Sequence, residues 1–297
     1  MAFHESQLQA IHHQEGPMMV LAGPGSGKTT VITHRVKYLV EQCGVEPGSI
    51  LVITFTKAAA QEMRQRFEKL TEGRRLPVSF GTFHAVFFAI LKRAYRYDAS
   101  NIAQDEQRTR IIRELVDKLQ MDVEDEAEFI SSIINEISYV KGERLDLKYY
   151  YSQNCPEEWF KKLYDGYDEM LKTTGKIDFD DMLVMCHELF TERKDILAAW
   201  QKKFKYILVD EFQDINLLQY QVVRMLALPE NNLFIVGDDD QSIYRFRGAK
   251  PEIMLGFEKD FPGTKRVLLG TNYRSTKEIV ETSLKLIGHN KVRFEKK

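Results

Sequence analysis

Short apolar runs punctuate the chain at Met18–Leu21, Ile50–Thr54, Val78–Phe80, Tyr206–Val209 and Leu233–Val236. They are continuous rather than alternating, which suits strands of a parallel sheet covered on both faces. Helical periodicity follows several of them, as in Lys28–Val40 and Ala58–Leu70. Strand–helix–strand patterning of this kind predicts an α/β doubly wound sheet.

The middle of the chain has a different period. From about Lys92 to Lys176 no strand signal occurs. Apolar residues recur at helical spacing through Ile111, Ile112, Leu115 and Leu119, and again through Phe129, Ile130, Ile133, Ile134 and Ile137. A third stripe, from Trp159 to Leu171, follows Pro156, a residue well suited to start a helix. These stripes read as core of an all-helical insertion, residues 92–176, between two parts of one sheet domain, residues 1–91 and 177–262. A further piece opens near Pro262-Gly263, with a strand at Arg266–Gly270 and a helix at Ser275–Ile287. One strand and one helix cannot bury a core of their own. Residues 263–297 are therefore expected to be the start of a second, incomplete domain.

Composition changes this picture little. Of 297 residues, 43% are hydrophobic and 29% charged, as in soluble globular proteins. No run approaches the roughly 20 apolar residues that span a bilayer. The start, Met1-Ala2-Phe3-His4-Glu5, lacks the pattern of a secretory signal, so a cytoplasmic protein is expected. Cys43, Cys155 and Cys186 are scattered and read as free thiols. The net charge of -2 means that any nucleic-acid contact must come from a local groove.

Chemistry enters at Ala22-Gly23-Pro24-Gly25-Ser26-Gly27-Lys28-Thr29, between a strand and a helix, with Thr30 next. Apart from Ala22 in place of the first glycine, this is a phosphate-binding loop. Its glycines let backbone N–H groups face an anion, and the following helix adds its positive end. Lys28 reaches the β and γ phosphates, and Thr29 offers its hydroxyl to Mg²⁺. A glycine-rich turn could carry Gly-Lys-Thr by chance, but the flanking elements and a downstream carboxylate pair argue against that. The strand Tyr206–Val209 runs into Asp210-Glu211, where Asp210 can hold Mg²⁺ and Glu211 can orient and deprotonate water. A phosphotransferase has no need of that second acid, so the pair points to ATP hydrolysis.

These residues, with others in the same order, resemble the UvrD/Rep/PcrA group of superfamily-one DNA helicases. The resemblance is carried by Gln7 in Phe3-His4-Glu5-Ser6-Gln7, by Thr54-Phe55-Thr56-Lys57, by Gly81-Thr82-Phe83-His84 and by Asp178-Phe179-Asp180-Asp181. It continues through Val209–Asp214, Gly237–Gly248 and Asn272-Tyr273-Arg274-Ser275-Thr276. It implies a RecA-like P-loop motor domain with a helical insertion and a truncated second RecA-like domain. It also implies roles. Gln7 would read the adenine edge and Tyr273 would stack on the base. Gln241 would sense the γ-phosphate, and Arg274 would reach it across the interdomain cleft. Arg35 would lie near the nucleotide. Phe55, Tyr244 and Phe246 would offer rings to successive bases, and His84 and Arg247 would meet phosphates or sugars. Phe246 stands where the family commonly has Trp, and Lys57-Ala58 where it has Asn-Lys.

The activity so implied is 3′-to-5′ translocation on single-stranded DNA driven by ATP and Mg²⁺, in a cytoplasmic, nucleoid-associated DNA-repair enzyme acting at single-strand/duplex junctions. The remaining motifs of the second motor domain, needed in cis, are expected beyond Lys297, so the chain by itself would hydrolyse ATP slowly and unwind nothing. Two alternatives share the motifs: the motor part of a RecB/AddA-like helicase–nuclease, and a non-motor ATP-binding module.

Overall fold

A computed structural model of the chain describes residues 3–242, 249–289 and 294. The elements run α1 (Glu5–His12), β1 (Met18–Ala22), α2 (Lys28–Glu41), β2 (Ile50–Thr54), α3 (Lys57–Leu70), β3 (Ser79–Thr82) and α4 (Phe83–Tyr95). Next come α5 (Asp105–Lys118), α6 (Glu126–Glu143), α7 (Glu157–Thr173), α8 (Phe179–Glu192) and α9 (Lys194–Lys203). The chain continues through β4 (Tyr206–Val209), α10 (Leu217–Ala227), β5 (Leu233–Gly237), α11 (Pro251–Asp260), β6 (Lys265–Leu269) and α12 (Lys277–Ile287).

The six strands form one sheet in the order β3-β2-β4-β5-β1-β6, and every pairing is parallel. Successive residues of each strand enter opposite cores. Met19 and Leu21 pack with α4, α8, α10 and α11, whereas Met18, Val20 and Ala22 pack with α1, α2 and α3. That double burial is why the strands are apolar throughout instead of alternating. A fully buried side chain such as Phe87 or Phe67 contributes about 1.5–3 kcal/mol.

The helical insertion has a core of its own. Ile112, Ile133, Ile137, Phe160, Leu163 and Tyr167, from α5, α6 and α7, are buried together. The lower boundary expected at residue 92 falls inside α4, whose end is set by Arg96 in a left-handed conformation. A buried ionic cluster ties the insertion to the sheet domain. Lys141 Nζ on α6 lies 2.8 Å from Asp168, 3.3 Å from Asp178 and 2.7 Å from Asp181. Burial alone would lower the Lys141 ammonium, but the carboxylates of Asp178, Asp181 and Asp168 outweigh it and hold the proton firmly.

One expectation is overturned. The strand assigned to the start of a second domain is β6, and it pairs with β1 from Met18↔Lys265 to Ala22↔Leu269. Its position at the sheet edge explains its composition: Val267 and Leu269 are buried, while Lys265 and Arg266 face solvent and protect the open edge. The sheet therefore extends past residue 263 to Leu269, whereas none of the residues of α12 is buried.

Candidate nucleotide-binding and hydrolysis site

Parallel strands open their carboxyl ends along one edge, and in such sheets ligands bind there. Here that edge carries the phosphate loop after β1, Phe55-Thr56 after β2, Asp210-Glu211 after β4, Asp238–Gln241 after β5 and Asn272–Arg274 after β6. Local chemistry explains how strands turn into helices at this edge. Thr56 caps α3 by accepting from Ala59 N at 3.1 Å, and Thr82 caps α4 by accepting from Ala85 N at 3.2 Å. Such a cap is worth about 1 kcal/mol.

In the phosphate loop, Gly25 (φ 67°) and Gly27 (φ 88°) adopt left-handed conformations. Its carbonyls are held by hydrogen bonds. Ser26 donates from its hydroxyl to Gly23 O at 2.7 Å, and Asn272 Nδ2 donates to Pro24 O at 2.7 Å. The N–H of Tyr273 donates to Gly25 O at 2.9 Å. Gln7 Nε2 donates to Ser26 O at 3.2 Å, while its Oε1 accepts from His4 N at 3.1 Å. With these carbonyls engaged, the loop is shaped as an anion cradle at the N-terminus of α2.

Opposite the loop, Lys28 Nζ lies 2.8 Å from Glu211 Oε2. Glu211 has φ 50° and ψ 43°, a left-handed conformation costly for a residue with a side chain, and such strain concentrates at functional sites. Asp210 is 5% exposed, and its Oδ1 is buried without a hydrogen-bond partner. Burial, with the Glu211 charge beside it, pushes the Asp210 carboxyl up to about 7. Asp214 is raised to about 6 for the same reasons, and its Oδ1 likewise has no partner. A buried carboxylate oxygen with no protein donor suits a divalent cation, so Asp210 with the Thr29 hydroxyl fits a Mg²⁺ site.

The cleft continues away from the loop into a cavity of about 630 Å³. Glu211, Gln213, Asp214 and Gln241 line it on the nucleotide side, Phe55, Thr56 and His84 on the other. Phe55 packs edge-on against Phe83 at 5.2 Å, and His84 against Phe179 at 5.0 Å. Burial lowers the His84 imidazole below its usual range. Residues from the two expected sites, for ATP and for DNA, thus share one cavity.

The matching protein family is the UvrD/REP helicase N-terminal domain, aligned over residues 3–262. The chain belongs to the UvrD/REP helicase family. It is 41% identical to the putative ATP-dependent DNA helicase YjcD of Bacillus subtilis, over 98% of this chain and 39% of that protein. It is 38% identical to the ATP-dependent DNA helicase PcrA of Leuconostoc citreum, over 99% of this chain and 40% of that protein. For PcrA of Staphylococcus aureus Mu50 the identity is 37%, over 98% of this chain and 40% of that protein. The chain therefore spans about 40% of the length of these relatives.

Set against that family's pattern, most of the candidate residues converge. Gln7, Ala22–Thr30, Asp210, Glu211, Gln241, Tyr273 and Arg274 all lie at the carboxyl edge of the sheet or against the loop there. A Cβ on Gly25 would sit 2.6 Å from Arg274 Cβ, so the Asn272–Arg274 segment lies directly on the loop. Tyr273 is 60% exposed, which leaves its ring open to a partner. Arg35 does not join them. Its guanidinium is 1% exposed, stacks 4.6 Å over the Phe234 ring and donates to Gln14 O at 3.4 Å. Phe234 is the second residue of β5, towards the amino edge of the sheet and away from the loop. Burial lowers this guanidinium to about 9. The expected DNA contacts Tyr244, Phe246 and Arg247 fall outside the described residues. Two residues are given no individual role by the sequence: Asn272, past β6, which donates to Pro24 O of the loop, and Gln213, which donates to Glu211.

Proposed function

We propose that this chain is the ATP-hydrolysing motor part of a DNA helicase, with Lys28, Thr29, Asp210 and Glu211 as its reaction centre. The observation that carries this reading is the direct contact of Lys28 with Glu211 beside the unpartnered carboxylate oxygen of Asp210. The Ser26 N–H donates to Gly23 O at 3.3 Å, and the other N–H groups of the glycine loop would receive the β and γ phosphates. Lys28 neutralises charge between them. Thr29 and Asp210 hold Mg²⁺, which when bound offsets the charge that develops on the transferring phosphoryl group. Glu211 orients the attacking water and accepts its proton. Gln7 supports the loop from below, and the exposed Tyr273 ring closes over the base. Arg274 reaches the γ-phosphate, and Gln241 stands between it and the cavity that Phe55 and His84 line.

Single-stranded DNA is the polymer whose bases would stack on Phe55, blind to sequence. Translocation would run 3′ to 5′, with the helical insertion beside the strand at a single-strand/duplex junction. A second motor domain in cis would complete the cleft that opens and closes on each ATP. We place the protein in the cytoplasm on the nucleoid. Among the described residues no helix is long and apolar enough to cross a membrane. The test is ATP hydrolysis by the purified chain with and without a single-stranded oligonucleotide. Slow Mg²⁺-dependent hydrolysis, abolished in Glu211→Gln, with no strand separation, is the expected result. Hydrolysis unaffected by Glu211→Gln, or vigorous unwinding by this chain, contradicts it.

A further inference from the structure

Gln213 has no part in the chemistry above, yet its side-chain amide is engaged at both ends beside Glu211. It follows Glu211 by two residues, in the tight turn Phe212–Asp214, and is 2% exposed. Its Nε2 donates to Glu211 Oε2 at 3.0 Å. Its Oε1 accepts the backbone N–H of Asp238, just past β5, at 3.0 Å. On the other side of Asp238, the Oδ2 atom accepts from Gln241 Nε2 at 2.6 Å, and the carbonyl accepts the Gln241 N–H at 2.9 Å. The hydroxyl of Ser242 also reaches back to the Gln213 carbonyl, at 3.4 Å. An unbroken line of hydrogen bonds therefore joins Gln241 to Glu211, and it passes through one side-chain amide.

A side-chain amide suits both jobs. One end must accept from a backbone N–H, and the other must donate to a carboxylate. A carboxylate in its place would accept at Asp238 but face Glu211 with like charge. An apolar residue would leave the buried Asp238 N–H without a partner, a costly outcome. The seat is also closely fitted. A Cβ on Gly237 would lie 2.7 Å from Gln213 Oε1 and 3.1 Å from the Met254 sulfur, so only glycine lets the amide sit against β5.

We propose that Gln213 is a positioning residue for ATP hydrolysis: it orients Glu211 toward water and passes to it the placement of the Asp238–Gln241 turn. This rests on the hydrolytic reading of the site. Gln241 displaced by a phosphate or by DNA in the shared cavity moves Asp238, and Gln213 carries that movement to the base. The line is short and joins the turns that follow β4 and β5, so it needs no movement of the insertion.

The experiment compares Mg-ATP hydrolysis and binding of a fluorescent ATP analogue in the 297-residue chain. The variants are Glu211→Gln, Gln213→Ala, Gln213→Glu, Gln241→Ala and the double Gln213→Ala/Gln241→Ala, each checked for cooperative thermal unfolding. Gln213→Ala is expected to bind the analogue as the parent does while kcat falls about 10–100-fold, the usual loss when a supporting partner is removed. Gln213→Glu keeps the shape but not the donor and is expected to lose kcat likewise, which secures the test if the alanine variant melts early. The double variant is expected to be no slower than the slower single one, because residues on one line couple. A kcat within about twofold of the parent in both Gln213 variants, or fully additive losses in the double variant, overturns the proposal. Failure of the underlying reading is distinguishable: there Glu211→Gln hydrolyses as fast as the parent, whereas a failure of Gln213 alone leaves Glu211→Gln slow.

Discussion

Lys28 Nζ and Glu211 Oε2 are 2.8 Å apart, so the lysine that opens α2 and the acid that follows β4 are in direct contact across the cleft. The two groups have different tasks, and substitution separates them. Lys28→Ala is expected to weaken ATP binding. Glu211→Gln is expected to leave binding near the parent value and slow hydrolysis by about 10²–10⁴-fold, the range for a general base. Equilibrium binding and single-turnover hydrolysis of both variants check this pair of outcomes.

Phe55 is half-buried, with one edge against Phe83 at 5.2 Å and the cavity beside it. Phe55→Ala is expected to weaken single-stranded DNA binding by about 1–3 kcal/mol, irrespective of base sequence. ATP binding should be unchanged. Fluorescence anisotropy with oligonucleotides of several sequences measures the effect.

The joint between insertion and motor carries a pH dependence. Burial, then the Asp178 charge, raises Asp180 and Asp181 to about 6. A carboxylate raised in the fold is favoured in its protonated form, so stability falls as pH rises from about 4 through 6. Asp178 is held low: burial acts to raise it, but Lys141 and its hydrogen bonds prevail, so its contribution is lost only at more acid pH. Asp180→Asn should therefore gain stability relative to the parent at pH 7.5 and lose that advantage at pH 5. Urea unfolding at the two pH values tests the sign.

Arg35 offers a separate check on the boundary of the site. Its Nε and Nη1 atoms are buried without partners, and its folded pKa lies below the unfolded one, so the charge costs stability throughout the neutral range. Arg35→Met should leave ATP affinity unchanged and leave the melting temperature unchanged or raised, as for other buried charges replaced by apolar groups. A loss of ATP affinity would put Arg35 back at the nucleotide.

The sequence shows the fold and much of the site because the decisive signals are contiguous. Apolar runs give β1 through β5, and the glycine loop and the Asp210-Glu211 pair each follow their own strand. The helical insertion is legible because the period changes from strand to helix. What is hidden depends on contacts distant in the chain. The placement of β6 beside β1 cannot be read locally, because the same strand and helix would open a new domain equally well. Gln213 and Asn272 act through bonds to Asp238 and Pro24, which no spacing rule connects. Arg35 was misplaced because it follows Lys28 by two helical turns on one helix. That is roughly 10 Å along the axis, enough to carry it from the loop to the opposite edge of the sheet.

The most direct measurement is a crystal structure of this chain with Mg²⁺ and a non-hydrolysable ATP analogue. The prediction is that Lys28 contacts the β and γ phosphates, that Asp210 and Thr29 share the metal's coordination sphere, and that Glu211 faces the γ-phosphate. A nucleotide bound elsewhere, or one bound with Lys28 and Asp210 unable to reach it together, would contradict the assignment.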